Sequence, residues 1–340
     1  MILMADGFDN IDNWTQIRDS HNWKNVLSSE LSLSPRAGRN GNPGTKERSL
    51  FVSGTYTYHL MHRLPTIAGN VWFIQFAVRP CAHDYSSKVS VYIEDTRVFY
   101  FRSQASVNKG LFKLGSSEIY EDELFAYEWA HYEIRFEMGA LGRVTIKRDG
   151  EQVYDEVRNT LAGFPIEQKP AVLALSSNYG GATTNPEYVS CFDDIIFWDD
   201  SGPVCNDWLG EQEVIMLKPT GTVSADSGGS HENINENDND ALTYNELTAK
   251  GDTDLFTYEP LPERATAVTS LGIVNQCVKK GGFGSGLIHR LGNHDSSASP
   301  RDHYIQTRAY TDVLMVDSND GVNPWTIAEA NAIHAGYEAK

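Results

Sequence analysis

Residues 129–138 read WAHYEIRFEM, and the period of this stretch is two. Ala130, Tyr132, Ile134, Phe136 and Met138 are apolar, and His131, Glu133, Arg135 and Glu137 between them are polar. Side chains of a strand alternate between faces, so this pattern predicts a strand with one face on a core. Tyr132, Ile134 and Phe136 are expected inside, and Glu133, Arg135 and Glu137 in water. The next segment, LGRVTIK at 141–147, continues the pattern with Val144 and Ile146 inward and Arg143 and Lys147 outward. Asp149-Gly150 then supplies the residue types of a two-residue hairpin turn, with a return strand from Glu151 to Tyr154.

Outward from this hairpin the same signature recurs. Strands are expected at Ser49–Gly54, Val71–Val78, Lys88–Glu94, Arg97–Arg102, Ala171–Ser176 and Tyr188–Trp198, separated by Gly, Asn, Asp and Pro clusters. That density predicts an antiparallel sandwich. A first module is expected over residues 1–202, ending at Asp199-Asp200-Ser201-Gly202-Pro203. A second is expected over 203–340, with strands at Glu213–Lys218, Ala265–Lys279, Gly286–Leu291 and His303–Asp317. Between Gly221 and Pro260 nine acids face one base, and GTVSADSGGSHENINENDND reads as a long solvated loop. The Gly281–Gly286 run lacks the Lys-Ser/Thr of a phosphate loop and reads as a hairpin tip. Only the end looks helical: Thr326 as N-cap with Glu329 as its capping-box partner, a helix over Ile327–Ala335, and Gly336 as the stop. The fold class is therefore all-β: two antiparallel, jelly-roll-like β-sandwich modules with a short C-terminal helix.

Two strands are apolar on both faces. Val71–Val78 sets Trp72, Ile74, Phe76 and Val78 against Val71 and Phe73, and the late strand sets Ile195 and Phe197 against Ile196 and Trp198. A sandwich sheet has one wet face, so such strands need a second cover: the second module, another subunit or a ligand. Trp198, Phe73 and Trp325 are accordingly candidate interface anchors, since aromatic side chains carry most of the area at such contacts.

The 340 residues hold 28 Lys and Arg against 46 Asp and Glu, a net charge of −18. A field of that sign repels phosphate backbones and anionic lipid, so nucleic-acid binding and membrane insertion are not expected. No stretch approaches the ~20 apolar residues of a membrane span, and MILMADGFDNID lacks the basic region and apolar run of a signal peptide. Cys81, Cys191, Cys205 and Cys277 have no C-x-x-C spacing and read as reduced, packed thiols made in a cytoplasm.

Candidate chemistry is sparse. Glu133 and Glu137 stand about 13 Å apart on one strand face, too far for a glycosidase pair. Glu121 and Glu123 would be closer if extended, but a loop is at least as good a reading. His289, His294, Asp295, Asp302 and His303 cluster in sequence on a strand end, a turn and the next strand start, where convergence into a zinc site is open but solvated turn residues are the stronger reading. His59 and His62 have no carboxylate nearby, and Asn237-Asp238-Asn239-Asp240 does not match a calcium loop. No Walker, dinucleotide or G-x-S-x-G pattern is present. The expectation is therefore no catalytic residue, no metal, no cofactor and no enzyme, with ligand-binding residues unassigned.

Several segments in order resemble a known family. EWAHYEIRFEMGALGRVTIKRDGEQVYD with YVSCFDDIIFWDDSG resembles the closing strands of a laminin-G/concanavalin A-like jelly roll. DWLGEQEVIMLKPTGT, GDTDLFTYEPLP and NPWTIAEANAIHAGYEAK complete an order that resembles tailed-bacteriophage structural proteins. The resemblance implies a non-enzymatic virion component, tail-associated or an accessory on the capsid surface, mediating assembly. Its implied partners are other virion proteins and further copies of itself in the particle. The alternative is a carbohydrate-binding adhesin that recognises host-surface glycan through the jelly roll. The resemblance also implies that Ile2–Asp9 pairs antiparallel with Tyr188–Trp198.

Overall fold

The computed structural model describes residues 1–6, 24–25, 34–37, 48–51, 58–80, 87–104, 107–161, 163–177, 190–226, 228–234, 244–277, 287–295 and 310–339. The chain forms two compact units, divided between Ile215 and Met216. The expected division at 202/203 lies earlier, because residues 203–215 pack onto the first unit.

In chain order the first unit carries β1 (Ile2–Asp6), β2 (Lys24–Asn25), β3 (Ser34–Ala37), β4 (Arg48–Phe51), β5 (Tyr58–Arg63), β6 (Val71–Arg79), β7 (Ser87–Ile93) and β8 (Thr96–Gln104). β9 (Lys109–Leu114), β10 (Ser117–Glu123), β11 (Ala130–Glu137), β12 (Gly142–Arg148), β13 (Glu151–Arg158), β14 (Val172–Ser177) and β15 (Cys191–Asp199) follow. Among the described residues these make two antiparallel sheets. One runs β13-β12-β11-β6-β15-β4-β3, with β1 also on β15; the other runs β10-β9-β8-β7-β14-β5-β2. The expected closure is present: Ile2 lies opposite Trp198, and Asp6 opposite Ile195. Asp149 and Gly150 both have positive φ, 50° and 85°, as a type I′ hairpin turn requires.

The core between the sheets holds the inward residues of the deciding hairpin. Tyr132, Ile134, Phe136, Val144 and Ile146 are all buried. Trp72 stacks on Phe136 at 4.4 Å and on Phe197 at 5.4 Å. Phe76, Phe101, Phe112 and Tyr132 form a second aromatic group, with ring centroids 5.0–5.7 Å apart. β15 reaches this core twice, first with Phe192 and then with Ile195 and Phe197. One extra residue makes that possible: Asp193 pairs with Ala77 but Ile196 with Gln75, and Asp194 sits at φ +49° in the bulge. The bulge reverses the alternation and turns Ile196 and Trp198 to the opposite face.

The second unit holds β16 (Pro219–Ala225), β17 (Thr253–Tyr258), β18 (Leu271–Cys277), β19 (Leu287–Leu291), β20 (His294–Asp295), β21 (Tyr310–Val316), α1 (Ile327–Ala332) and β22 (Ala335–Ala339). Its five-stranded sheet runs β16-β17-β22-β19-β20, and β18 pairs with β21. Ile273, Leu291 and Ala335 form the core where the ribbon meets the sheet.

Three expectations change here. Residues 213–218 are not a strand, and pairing begins at Pro219. Part of the tract read as a solvated loop, 221–225, belongs to β16. The capping box of Thr326 and Glu329 is present, but the helix stops at Ala332. Gly336 does not end a helix; it lies in β22, opposite Leu255 of β17. A Cβ there would fall 1.9 Å from the Asp254 carbonyl oxygen, so only glycine permits this approach.

Candidate functional site

The two-sided strands find their cover within the chain. Residues 206–214 form a strap over the outer face of β12, β11, β6 and β15. Phe73 stacks on Trp198 at 5.0 Å, and Trp208 closes edge-on over Phe73 at 5.7 Å. The Trp198 indole N–H donates to the Asp207 carbonyl at 3.1 Å. The bulge residue Asp194 accepts the Val214 N–H at 2.8 Å. The Lys147 ammonium lies 4.0 Å over the Trp208 ring. Trp198 and Phe73, expected as interface anchors, are thus enclosed by the strap. Trp325 is 4% exposed within its own unit, packed with Val268 and Ala330, and its indole N–H donates to the Val316 carbonyl at 2.8 Å.

The strap also overturns the placement of Glu133 in water. Glu133 is 2% exposed and accepts backbone N–H groups from Leu209 at 2.7 Å and Gly210 at 3.2 Å. Burial raises its pKa, against the two N–H donors and Lys147, which lower it. Arg135, Glu137 and Lys147 are half-buried, while Arg143 is exposed as expected.

Other carboxylates have structural partners. Glu121 lies on β10, not in a loop, and pairs with Lys109 at 2.6 Å. Between it and Glu123, Asp122 accepts the Tyr132 hydroxyl at 2.5 Å and Arg148 at 3.1 Å. Burial and the Asp122 charge push Tyr120 up to about 12 and hold Tyr132 well above the ordinary range. Asp295 pairs with Arg290 at 2.8 Å. His289 is buried, and His294 packs edge-on against Trp325. Asp302, His303, Asn237-Asp238-Asn239-Asp240, Cys81 and the Gly281–Gly286 run lie outside the described residues, as do the side chains of His59 and Cys277. Among the described residues no group of three or more His, Cys, Asp or Glu is arranged to hold a metal. Cys191 and Cys205 are buried thiols outside any disulfide.

The outer face of the other sheet has a different character. Val89, Val91 and Ile93 of β7 and Leu173 and Leu175 of β14 point to the core. Their alternates therefore point out, and the cross-strand register sets them in rows. One row runs Met61, Ala174, Ser90, Tyr100 and Lys113; a second contains Ser176, Lys88, Arg102 and Leu111; a third contains Arg63, Val172, Tyr92 and Arg97. Ser90, Ala174 and Ser176 form a floor of small, buried side chains. Lys88, Tyr92, Arg97 and Arg102 around it are half-buried, and Arg63 is exposed. The Arg97 guanidinium lies 3.9 Å over the Tyr100 ring and also bonds the Tyr92 hydroxyl. Burial raises the Tyr92 pKa, against the Arg97 charge and the hydrogen bonds to Ser90 and Arg97, which lower it. Ser90, Ala174, Ser176 and Tyr100 are closed off from solvent, which reaches this face at half-buried Lys88, Tyr92, Arg97 and Arg102 and at exposed Arg63. The strand at Lys88–Glu94 was legible in the sequence; the rows were not, because they depend on which strands are neighbours.

No protein-family model and no curated protein matches the sequence. Solved structures of similar architecture include a sialidase, at 9% identity and TM-score 0.42 over 59% of this chain and 19% of the sialidase. A GH131 β-glucanase catalytic domain from Podospora anserina follows at 11% identity, TM-score 0.38, over 58% of this chain and 96% of that one. The carbohydrate-binding module CBM66 from Bacillus subtilis matches at 10% identity and TM-score 0.31, over 52% of this chain and 96% of the module. At these values the likeness carries no activity across to this chain. It does correct one expectation. Catalytic proteins stand among the similar structures, so the lack of a familiar catalytic pattern is no ground for excluding an enzyme. The virion role expected from the order of sequence segments gains no support from these comparisons.

Proposed function

We propose that the first unit binds carbohydrate on the outer face of the β10-β9-β8-β7-β14-β5-β2 sheet. The observation that carries this reading is the set of phenol and guanidinium groups that stay in contact with solvent on this face, Tyr92, Arg97 and Arg102 with exposed Arg63. Phenol and guanidinium groups donate hydrogen bonds of the kind that the dense acceptors of a sugar take. On the opposite sheet the strap covers the outer face of β12, β11, β6 and β15. The test is a glycan array probed with the full chain, followed by Tyr92→Ala and Arg102→Ala. Saturable binding of a saccharide, lost in both variants at unchanged melting temperature, supports the reading. Binding that survives both, or no binding to any glycan, overturns it.

A further inference from the structure

The second unit buries a carboxylate with no cation beside it. Asp254 of β17 is fully buried, and among the described residues no Lys or Arg pairs with it. Neither of its oxygens meets a donor at full hydrogen-bond geometry. Across the sheet it faces Tyr337 of β22, whose hydroxyl accepts the Asn245 amide at 2.9 Å. His289 of β19 continues this row, two strand spacings or about 10 Å from Asp254. Asp226, just after β16, takes the Thr253 N–H on its carboxylate at 2.9 Å. Asp252, two residues back from Asp254, takes the Thr248 and Ala249 N–H groups at 3.0 and 2.8 Å. Tyr258 lies further along β17 on the same face. The turn at residues 228–234, which carries His231 and Glu232, lies against the carboxyl through Gly229, where a Cβ would collide with Asp254.

An ionised carboxylate so placed loses its hydration without gaining a counter-charge, so the buried state favours the neutral carboxyl. Burial raises the Asp254 pKa, against the Tyr337 hydroxyl, which lowers it; the Asp226 and Asp252 charges raise it further, against the Asp226 N–H. A divalent cation would also settle a buried carboxylate. However, Asp226 and Asp252 already hold backbone N–H groups, and among the described residues no group of three such ligands is arranged for a metal.

The turn over Asp254 is lightly held. Its 3-10 helix, His231–Asn233, has no buried residue. Its ties are the Ser230 N–H and the Asn233 amide on Asn245 Oδ1 at 2.9 and 3.0 Å, the Asn245 amide on the Ser230 carbonyl at 3.1 Å, and the His231 N–H on the Thr222 hydroxyl at 3.0 Å. β17 is instead paired on both sides, by β16 and β22. An element with few apolar contacts opens at less cost than a strand paired on both sides. We propose that this turn is a proton-controlled latch: it seats over the neutral Asp254 carboxyl and lifts away when that carboxyl ionises.

The test is hydrogen exchange of the full chain from pH 4 to pH 8, with the Asp254 carboxyl carbon followed by NMR in carbon-13 aspartate-labelled protein. A raised folded value makes the latch fully closed below the ordinary 3.8 and loosens it as pH rises toward that folded value. Protection factors of the Ser230 and His231 amides should therefore fall about tenfold per pH unit and level off where the Asp254 signal titrates. The β17–β22 ladder should keep its protection. Asp254→Asn cannot ionise and should hold the turn amides flat. Asp226→Asn, at an exposed position, removes a repelling charge and keeps an acceptor for Thr253. It should bring the carboxyl midpoint and the levelling point down together, and that coupled shift carries the test should Asp254→Asn fail to fold. Titration of Asp254 at or below 3.8, or turn protection independent of pH, overturns the proposal. A fall that survives in Asp254→Asn assigns the sensor to His231 or His289 and overturns it. Equal loss in the β17–β22 ladder means unfolding of the whole unit and overturns the latch. Recovery of protection at pH 8 on adding calcium overturns it in favour of a cation site.

Discussion

The Glu133 carboxylate accepts the backbone N–H of Leu209 at 2.7 Å, across 76 residues of chain. This contact and its neighbour at Gly210 fix the strap over a sheet face that alternation alone assigns to water. A buried carboxylate without partners costs several kcal/mol, and here two backbone donors and a nearby ammonium offset that cost. Glu133→Ala should leave two partly buried N–H groups without their acceptor and destabilise the first unit by about 1 kcal/mol in denaturant unfolding. Glu133→Gln, which keeps an acceptor, should cost less.

The same residue predicts a pH dependence. Its folded-state pKa is raised, so the folded state holds the proton more tightly than the unfolded chain. The sign follows: this contribution is fully present below the unfolded value and is lost as pH rises through the folded one. The window therefore opens near 4.5 and extends upward. Melting curves of the wild type and Glu133→Gln should diverge on going from pH 4 to pH 7, with the wild type losing ground. A difference that stays constant over that range, or shifts the other way, contradicts the assignment.

Trp208 is the strap's main apolar contact. Trp208→Ala removes the ring over Phe73 and the cation–π contact with Lys147, and it opens Phe73 and Trp198 to water. A half-buried tryptophan should contribute somewhat less than the ~3–5 kcal/mol of a core aromatic, so about 2–3 kcal/mol is expected. Binding of a hydrophobic dye to the folded variant, absent in the wild type, would locate the loss at this face.

The core register has a direct test within one strand. Phe136 stacks on Trp72, and Glu137 beside it pairs with Arg135 at 3.1 Å on the other face. Phe136→Ala should cost about 3–5 kcal/mol, while Glu137→Ala should stay within about 0.5 kcal/mol. Equal shifts of the two melting curves would contradict the register.

What was legible in the sequence depended on range. The deciding hairpin, its turn and its buried set follow from local alternation, and the closure by β1 follows from two apolar segments that need each other. The excess apolar residues at Phe73 and Trp198 signalled a second cover, and DWLG at 207–210 was visible as a motif. Nothing local joined the two, because Glu133 and Asp194 become strap acceptors only when the strap crosses them. β9 and β10 escaped because their mixed composition, KGLFKL and SEIYEDE, reads equally as loop. The shared face of Arg63, Lys88, Arg97 and Arg102 depended on strand order, which brings them together from distant segments.

The end of the chain shows how a correct local signal can still misplace an element. Thr326 caps the helix as its sequence requires, yet the helix ends at Ala332, and Ile333 at the C-cap is already extended. Alanine-rich sequence favours helix, but a helix this short gains little on its own, and tertiary pairing decides. Ala335–Ala339 instead fills the gap between β17 and β19, where Ala335 is buried against Ile273 and Leu291. Gly336 is the residue that permits it, since any side chain would meet the Asp254 carbonyl. Gly336→Ala should therefore force β17 and β22 apart and cost about 3 kcal/mol, the upper end for overpacking. Had Gly336 been a helix stop in the left-handed conformation, alanine would cost only about 1 kcal/mol. Hydrogen exchange separates the cases. The strand role expects faster exchange of the amides that bond β22 to β17 and β19, with protection in the first unit's core strands retained. Unchanged protection across β17, β19 and β22 in the variant would remove Gly336 from this role.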